Sequence, residues 1–382
     1  MIQSRPLYRL SKRATGKTTT TTWCMSGRTG GWTASCRPMT STAGSSSKPN
    51  ALFLNAARLN YDNALDFTRW HSSTNLTLHL SDNVRDPAEV IRLVKDTQAE
   101  IIITKEMEVP ASTFAKFPDT VKLLLEAGTG FNNLPIKDAR ARGIPVCNIP
   151  TYSTEAVAHM GITYLLNLSM SMFDQQRMLI QGDRRNFTGP FTLPLHEVTD
   201  KTLGLVGGAG RIGTKVAEIA LVLGMKIIIS SRKGTLDPSH VLYSNDRVEC
   251  TSDVNYLLQN SDFVSLHTPL NDETRGSFGR KQFEQMKPTA FFINTSRGAL
   301  CNEPELIEIM KEGRIAGAGL DVTTTEPPAP DSELWNLPNV WLSPHTGWRR
   351  LETRQRSVDM VADNIEAYCK AQSEKDLINV IN

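Results

Sequence analysis

The sequence predicts an α/β protein of two doubly wound parallel sheets, one unit inserted into the other. From Ala51 onward, short apolar runs alternate with amphipathic stretches. That pattern marks strands buried on both faces with helices between them. The length of 382 residues fits two domains of roughly 100–200 residues each. The C-terminal stretch carries Val361, Ile365 and Tyr368 at helical spacing, followed by a short run from Ile378 to Ile381. It is too short to fold alone and is expected to return to the first unit.

The first, smaller unit has predicted strands at Ala51–Leu54, Ile101–Thr104, Val121–Leu125 and Pro145–Asn148. A longer helix follows, with Ser153 as its N-cap, Glu155 in its first turn and Ala156, Met160, Ile162 and Leu165 on its apolar face. The second unit has six predicted strands: Leu203–Val206, Lys226–Ser230, Phe263–Leu266, Ala290–Asn294, Ala316–Val322 and Val340–Ser343. Between the fourth and fifth lies a helix capped by Asn302. Glu305 stands three residues later as a capping-box partner, and Leu306–Met310 supply the apolar side.

Residues 1–50 stand apart. They hold 8 of the 42 basic residues and none of the 40 acidic ones, and Thr18–Thr22 is an unbroken threonine run. An acid-free, Arg- and Ser/Thr-rich leader without an apolar core has the composition of an organelle transit peptide, mitochondrial or plastid. The other reading is a disordered extension without an address, which leaves a cytoplasmic protein. The remaining chain has 34 basic and 40 acidic residues. An acidic body argues against nucleic acid as a partner. No run approaches the roughly 18 apolar residues that cross a bilayer. The six cysteines (Cys24, Cys36, Cys147, Cys250, Cys301, Cys369) form no CxxC pair, and no His/Cys cluster has metal-ligand spacing. Neither a disulfide scaffold nor a metal site is expected.

Gly208-Ala209-Gly210-Arg211-Ile212-Gly213 has the GxGxxG spacing. It sits between the strand ending at Val206 and a helix expected from Thr214 to about Leu223. In that setting the glycines allow a tight turn, close approach of a pyrophosphate and close helix–strand packing, while the helix N-terminus faces the phosphates. An additional glycine, Gly207, shifts the strand-to-loop register by one. The next strand ends in Ser230-Ser231-Arg232-Lys233, where an NAD enzyme carries an acid for the ribose 2′-OH. A carboxylate there would repel a 2′-phosphate, whereas Ser231, Arg232 and Lys233 would bind one. The expected cofactor is therefore NADP, with NAD as the alternative.

Three later strands end in polar turns: Asn294-Thr295-Ser296-Arg297-Gly298, then Asp321 with Glu326-Pro327 beyond it, then Ser343-Pro344-His345-Thr346-Gly347-Trp348. The carboxyl ends of parallel strands line the ligand crevice. Reducing a 2-oxo acid requires a proton donor, which His345 supplies. Glu326 stabilises the imidazolium, and Arg297 forks onto the substrate carboxylate. His267 reads equally as a residue near the nicotinamide or as a structural turn residue.

These segments, with Gly128-Thr129-Gly130-Phe131-Asn132-Asn133, Arg142 to Asn148, Ser153 to Ala158, His267-Thr268-Pro269-Leu270 and Gly319 to Val322, resemble the D-isomer-specific 2-hydroxyacid dehydrogenases. The resemblance runs from about Ala51 to the C-terminus and is nearest to the glycerate dehydrogenase and glyoxylate/hydroxypyruvate reductase branch. It implies a Rossmann dinucleotide-binding domain (153–349) inserted into a flavodoxin-like substrate domain (51–152 and 350–382). It also implies a homodimer acting on a small 2-oxo or 2-hydroxy acid. Asp321 would contact the carboxamide end of the cofactor, and Arg211, Ile212 and the Thr268 turn would flank its pyrophosphate and adenosine. Pro269, Thr274, Thr295, Ser296, Arg297, His345 and Gly347 complete the implied cofactor set. Lys105, Gly128, Thr129 and Gly130 would face the substrate carboxylate, joined by Arg297 and His345. Lys105 replaces the neutral residue more usual in related reductases, so a second acidic group on the substrate is a further expectation. Trp348 either narrows the pocket or packs at the domain junction. The alternatives are a non-catalytic NAD(P)H-sensing corepressor-like module and an enzyme for another hydride donor such as formate. The complete set Arg297, Glu326 and His345 weighs against the first. The lack of extra polar residues around the pocket weighs against the second.

Overall fold

A computed structural model describes residues 48–382. The leader assigned to 1–50 lies, up to residue 47, outside the described residues. The first sheet contains β1 (Asn50–Phe53), β2 (Asn75–Leu78), β3 (Ile101–Thr104), β4 (Leu123–Glu126) and β5 (Val146–Cys147). All are parallel, in the order β2-β1-β3-β4-β5. That is the flavodoxin-like order. The second sheet contains β6 (Thr202–Val206), β7 (Lys226–Ser230), β8 (Val248–Thr251), β9 (Phe263–Leu266), β10 (Phe291–Asn294), β11 (Gly317–Leu320) and β12 (Val340–Leu342). Its order is β12-β11-β10-β9-β6-β7-β8. The strand order reverses between β6 and β9, the switch point at which Rossmann sheets bind a dinucleotide.

The central strands β3, β4, β9, β10 and β11 are buried along their whole length, as unbroken apolar runs require. β2 (NLTL) and β8 (VECT) are additional to the predicted strands. Both lie at sheet edges with only one side packed, so neither carries a continuous apolar signal.

The helix Thr154–Ser169 buries Ala158, Ile162, Tyr164, Leu165 and Leu168 against the second sheet and the helix Arg211–Val222. Ser153 precedes it, but its hydroxyl makes no capping bond, contrary to the expected cap. Asn302 does cap the helix Glu303–Lys311. The expected reciprocal bond from Glu305 is absent, because its carboxylate accepts the Arg280 N–H at 2.6 Å instead.

The C-terminal helix Leu351–Lys370 returns to the first sheet and packs Val358, Val361, Ala362 and Ile365 onto Phe53 and Trp70. Trp70 Nε1 donates to Val358 O at 2.8 Å. The buried Arg354 grips Asp62 with both terminal nitrogens, at 2.9 and 2.6 Å. Val380 then bridges Cys147 in antiparallel fashion and closes the open edge of β5. The carboxyl ends of strands from both sheets thus carry the polar turns described next.

Candidate active site

The glycine-rich turn after β6 is shaped by two close approaches and one open position. Gly207 takes the left-handed conformation (φ +75°), and a Cβ there would lie 2.6 Å from Thr268 Cγ2. The extra glycine therefore makes the sharp turn against the loop that follows β9. A Cβ on Gly213 would run into the backbone of Gly208, so these two lock helix to turn. A Cβ on Gly210 would meet nothing closer than 4.0 Å. Nothing among the described residues crowds this position, so the backbone at 210 is open to a ligand. Gly210 also opens the helix Arg211–Val222 with no side-chain cap, leaving the first N–H groups for phosphate. Arg211 and Thr214 line a cleft of about 910 Å³ beside this turn, together with Asp237 and His240. Ile212 is partly buried against the apolar cluster behind.

Ser230 accepts the Gly207 N–H at the end of β7, at 3.2 Å. The Ser231 hydroxyl donates to Thr235 O at 3.3 Å. Arg232 and Lys233 are exposed, and neither forms an ion pair among the described residues. The Thr268 turn is closed by Thr274, whose hydroxyl donates to Pro269 O at 2.7 Å.

Orphaned polar atoms cluster beside the same turn. His267 Nδ1 and Nε2, Thr295 Oγ1 and Ser265 Oγ are buried without partners among the described residues. Burial pushes His267 down to about 4, so the ring is neutral. Such groups stay unpaired only where a ligand or water meets them. With the open Gly210, they fit a dinucleotide lying across the ends of β6, β9 and β10.

The catalytic candidates follow β10, β11 and β12. Gly298 brings the first two turns together: a Cβ there would collide with the Thr323 backbone and sit 2.5 Å from Thr324 N. Ser296 Oγ anchors the Arg297 turn on Leu266 O at 2.7 Å. Arg297 donates to Asn132 Oδ1 at 3.3 Å, and its guanidinium lies directly against Gly130. Glu326 Oε2 is 2.8 Å from His345 Nδ1. Nδ1 is thereby held and Nε2 is left for the reacting atom. Asp321 organises the turn that carries the histidine. It accepts the Thr346 and Gly347 N–H groups at 2.8 and 2.9 Å, and the Ser343 hydroxyl.

The substrate-facing turns of the first sheet differ from expectation at one residue. The Lys105 ammonium has no exposed surface. It sits 2.7 Å from Tyr152 Oη and 3.9 Å from the centroid of the Trp348 ring. Burial alone would lower its pKa, but Glu106, Tyr152 and Glu126 outweigh that and hold it above the ordinary lysine value. A lysine so enclosed offers no free cation to a second acidic group. Trp348 is the cover, packed in the first-sheet core. The neighbouring turn is rigid: Thr129 O accepts Asn148 Nδ2 at 2.7 Å, and Gly128 O accepts the Ile149 N–H at 3.1 Å.

Glu106 is the residue that sequence reasoning missed. Its Oε1 lies 3.4 Å from His345 Nε2, on the side opposite Glu326. Arg58 holds the other oxygen at 3.0 and 3.3 Å. The Glu106 N–H donates to the buried Glu126 at 2.9 Å. Burial would raise the Glu106 pKa, but His345, Lys105, Arg58 and Arg297 hold it well below the usual carboxylate range. Both Glu106 (φ +56°) and His345 (φ +51°) have left-handed backbone, a conformation costing such residues of order 1–3 kcal/mol each. Two strained residues facing each other mark the chemical centre. The available signal was position: Lys105-Glu106 directly follows β3, as Arg297, Glu326 and His345 follow their own strands.

Gly298→Ala is expected to destabilise the fold by about 1–3 kcal/mol, since the new methyl displaces the backbone joining the Arg297 and Glu326 turns. A lowered urea midpoint, with activity lost in the fraction that stays folded, checks this.

A parallel α/β sheet with a glycine cradle at its switch point and a His–Glu pair beside an arginine defines an NAD(P)-dependent oxidoreductase. The family described as "D-isomer specific 2-hydroxyacid dehydrogenase, NAD binding domain" matches residues 162–347. A glyoxylate reductase of Korarchaeum cryptofilum is 36% identical over 290 residues, covering 76% of this chain and 85% of that one. A solved NADPH-dependent glyoxylate/hydroxypyruvate reductase of Sinorhizobium meliloti, bound to NADP and malonate, superposes with a TM-score of 0.73 at 25% identity, covering 88% of this chain and 97% of that one. An acyclic imino acid reductase solved with NADPH and D-Arg gives a TM-score of 0.72 at 27% identity, covering 87% and 99%. The chain belongs to the D-isomer-specific 2-hydroxyacid dehydrogenase family. It is an NAD(P)-dependent 2-oxo acid reductase.

Proposed function

We propose that this reductase prefers NADP(H) and converts glyoxylate- or hydroxypyruvate-type 2-oxo acids to the D-2-hydroxy acid. The observation that carries the reading is the 2.8 Å contact of His345 Nδ1 with Glu326, which leaves Nε2 turned away from Glu326 toward the first-sheet turn at Glu106. Bound NADPH supplies the hydride. Arg297 and the rigid Gly128–Gly130 turn hold the substrate carboxylate and so orient C2. His345 gives its Nε2 proton to the C2 oxygen, and Glu326 stabilises the imidazolium until that proton leaves. Asp321 keeps the His345 turn in place. A panel of 2-oxo acids assayed with NADPH and NADH tests this reading, with fast turnover of hydroxypyruvate or glyoxylate expected. Bound cofactor with no turnover of any 2-oxo acid would favour a sensing module.

The exposed Arg232 and Lys233, with no acid at the end of β7, support the preference for NADP. Arg232→Asp is expected to lower the ratio of kcat/KM for NADPH to that for NADH by at least about tenfold, through repulsion of the 2′-phosphate. An unchanged ratio would remove Arg232 from cofactor choice.

Residues 172–195 form an arm with exposed apolar side chains, Ile180 (84% exposed) and Phe187 (75%) among them. We read it as the homodimer contact, which sedimentation of the purified protein tests. The basic, acid-free leader is read as an organelle address, tested by imaging a fusion of residues 1–50 to a fluorescent protein. A second substrate class, C2=N in place of C2=O, is kept because Glu106 lies against His345 Nε2 and one structural neighbour is named for imino acid reduction.

A further inference from the structure

We propose that Glu106 is a specificity-determining residue that equips this site to reduce 2-imino acids, formed from 2-oxo acids and ammonia or a primary amine, to D-2-amino acids. The inference rests on the reading above, that His345 Nε2 faces the heteroatom on C2. Nε2 and Glu106 Oε1 are only 3.4 Å apart, so a heteroatom seated in the notch between them touches both.

What stands there decides the chemistry. A carboxylate only accepts hydrogen bonds. Glu106 is held as a carboxylate by Arg58 and Lys105 beside it. Arg58 fixes Oε2, and the N–H of Glu106 is tied to Glu126, so Oε1 is aimed rather than free to swing away. A ketone oxygen carries lone pairs and no hydrogen, so it gains nothing from Oε1 and is repelled as negative charge develops on it. A protonated imine carries two N–H groups and a positive charge. One N–H donates to Glu106 Oε1 in a charge-assisted bond that a ketone oxygen cannot make. The substrate carboxylate stays with Arg297, which binds it equally in either compound.

The step balances. In solution the 2-oxo acid and ammonia condense to the imine with loss of water, and the imine takes a proton. Hydride from NADPH then forms the C2–H bond, and the C=N π pair becomes the nitrogen lone pair. The amine next takes a proton from solvent, giving a D-2-amino acid and NADP⁺. No proton from His345 is needed during hydride transfer, unlike in ketone reduction.

The experiment uses the full chain with NADPH and hydroxypyruvate at rising ammonium concentration, with D-glycerate and D-serine quantified by chiral chromatography. D-Serine is expected beside D-glycerate, in a proportion that grows with ammonium. Glu106→Gln is expected to lower the D-serine to D-glycerate ratio about tenfold or more, whatever happens to total turnover, since the charged acceptor is lost. D-Glycerate formation without D-serine at any ammonium concentration would overturn the proposal and leave the 2-oxo acid reading standing. A ratio unmoved by Glu106→Gln would overturn the role of Glu106. Failure to reduce either substrate would strike the 2-oxo acid reading itself, and this proposal with it.

Discussion

Replacing His345 with alanine is expected to lower turnover of hydroxypyruvate by about 10²–10⁴-fold while NADPH binding stays within a few-fold of the parent. The imidazole is held at Nδ1 by Glu326, and its turn is held separately by Asp321 through Thr346 and Gly347. The site should therefore lose its proton donor without losing its frame. His345 has φ +51°, a conformation that asparagine tolerates better than alanine. His345→Asn is the control that preserves the backbone, and it should be nearly as inactive. Fluorescence titration with NADPH and steady-state rates separate the effects. Turnover retained in both variants would remove His345 from proton transfer.

Arg297→Met should cost nearly as much, but through a different parameter. Loss of the half-buried charged fork leaves the substrate carboxylate unmatched, an effect of about 3–4 kcal/mol, or roughly 10²–10³ in kcat/KM. Arg297→Lys keeps the charge and loses the planar fork, so it should recover only part of the deficit. The guanidinium lies against Gly130 and bonds Asn132, so it joins the turns of the two sheets. A KM that rises as kcat falls is the expected signature. If the variant changes only NADPH affinity, the arginine serves the cofactor and not the substrate.

Much of this was legible because buried parallel strands are apolar runs of fixed length, and the ligand-binding turns hang on their carboxyl ends. β3, β7, β9 and the glycine turn needed no tertiary information. β2 and β8 escaped because an edge strand packs one side only and its pattern merges with loop composition. The Ser153 cap failed because a preference for hydroxyl residues at helix starts does not oblige the hydroxyl to bond. Glu305 was drawn to the Arg280 N–H, a partner 25 residues away that no local pattern contains. Lys105 and Glu106 are the instructive pair. Their charges are plain in the sequence, but which one points at the histidine depends on Trp348 and Tyr152 closing over the lysine and Arg58 drawing out the glutamate. Those contacts span some 47 to 243 residues of chain.

In the proposed reaction, hydride passes from a nicotinamide held over β6, β9 and β10 to C2 of a 2-oxo acid oriented by Arg297 and protonated by His345. The most direct test is isotope transfer: the full chain turning over hydroxypyruvate with NADPH deuterated at nicotinamide C4 on the transferred face. One deuterium at C2 of D-glycerate for each cofactor oxidised is the expected result. Unlabelled glycerate, or the L isomer, would rule that reaction out.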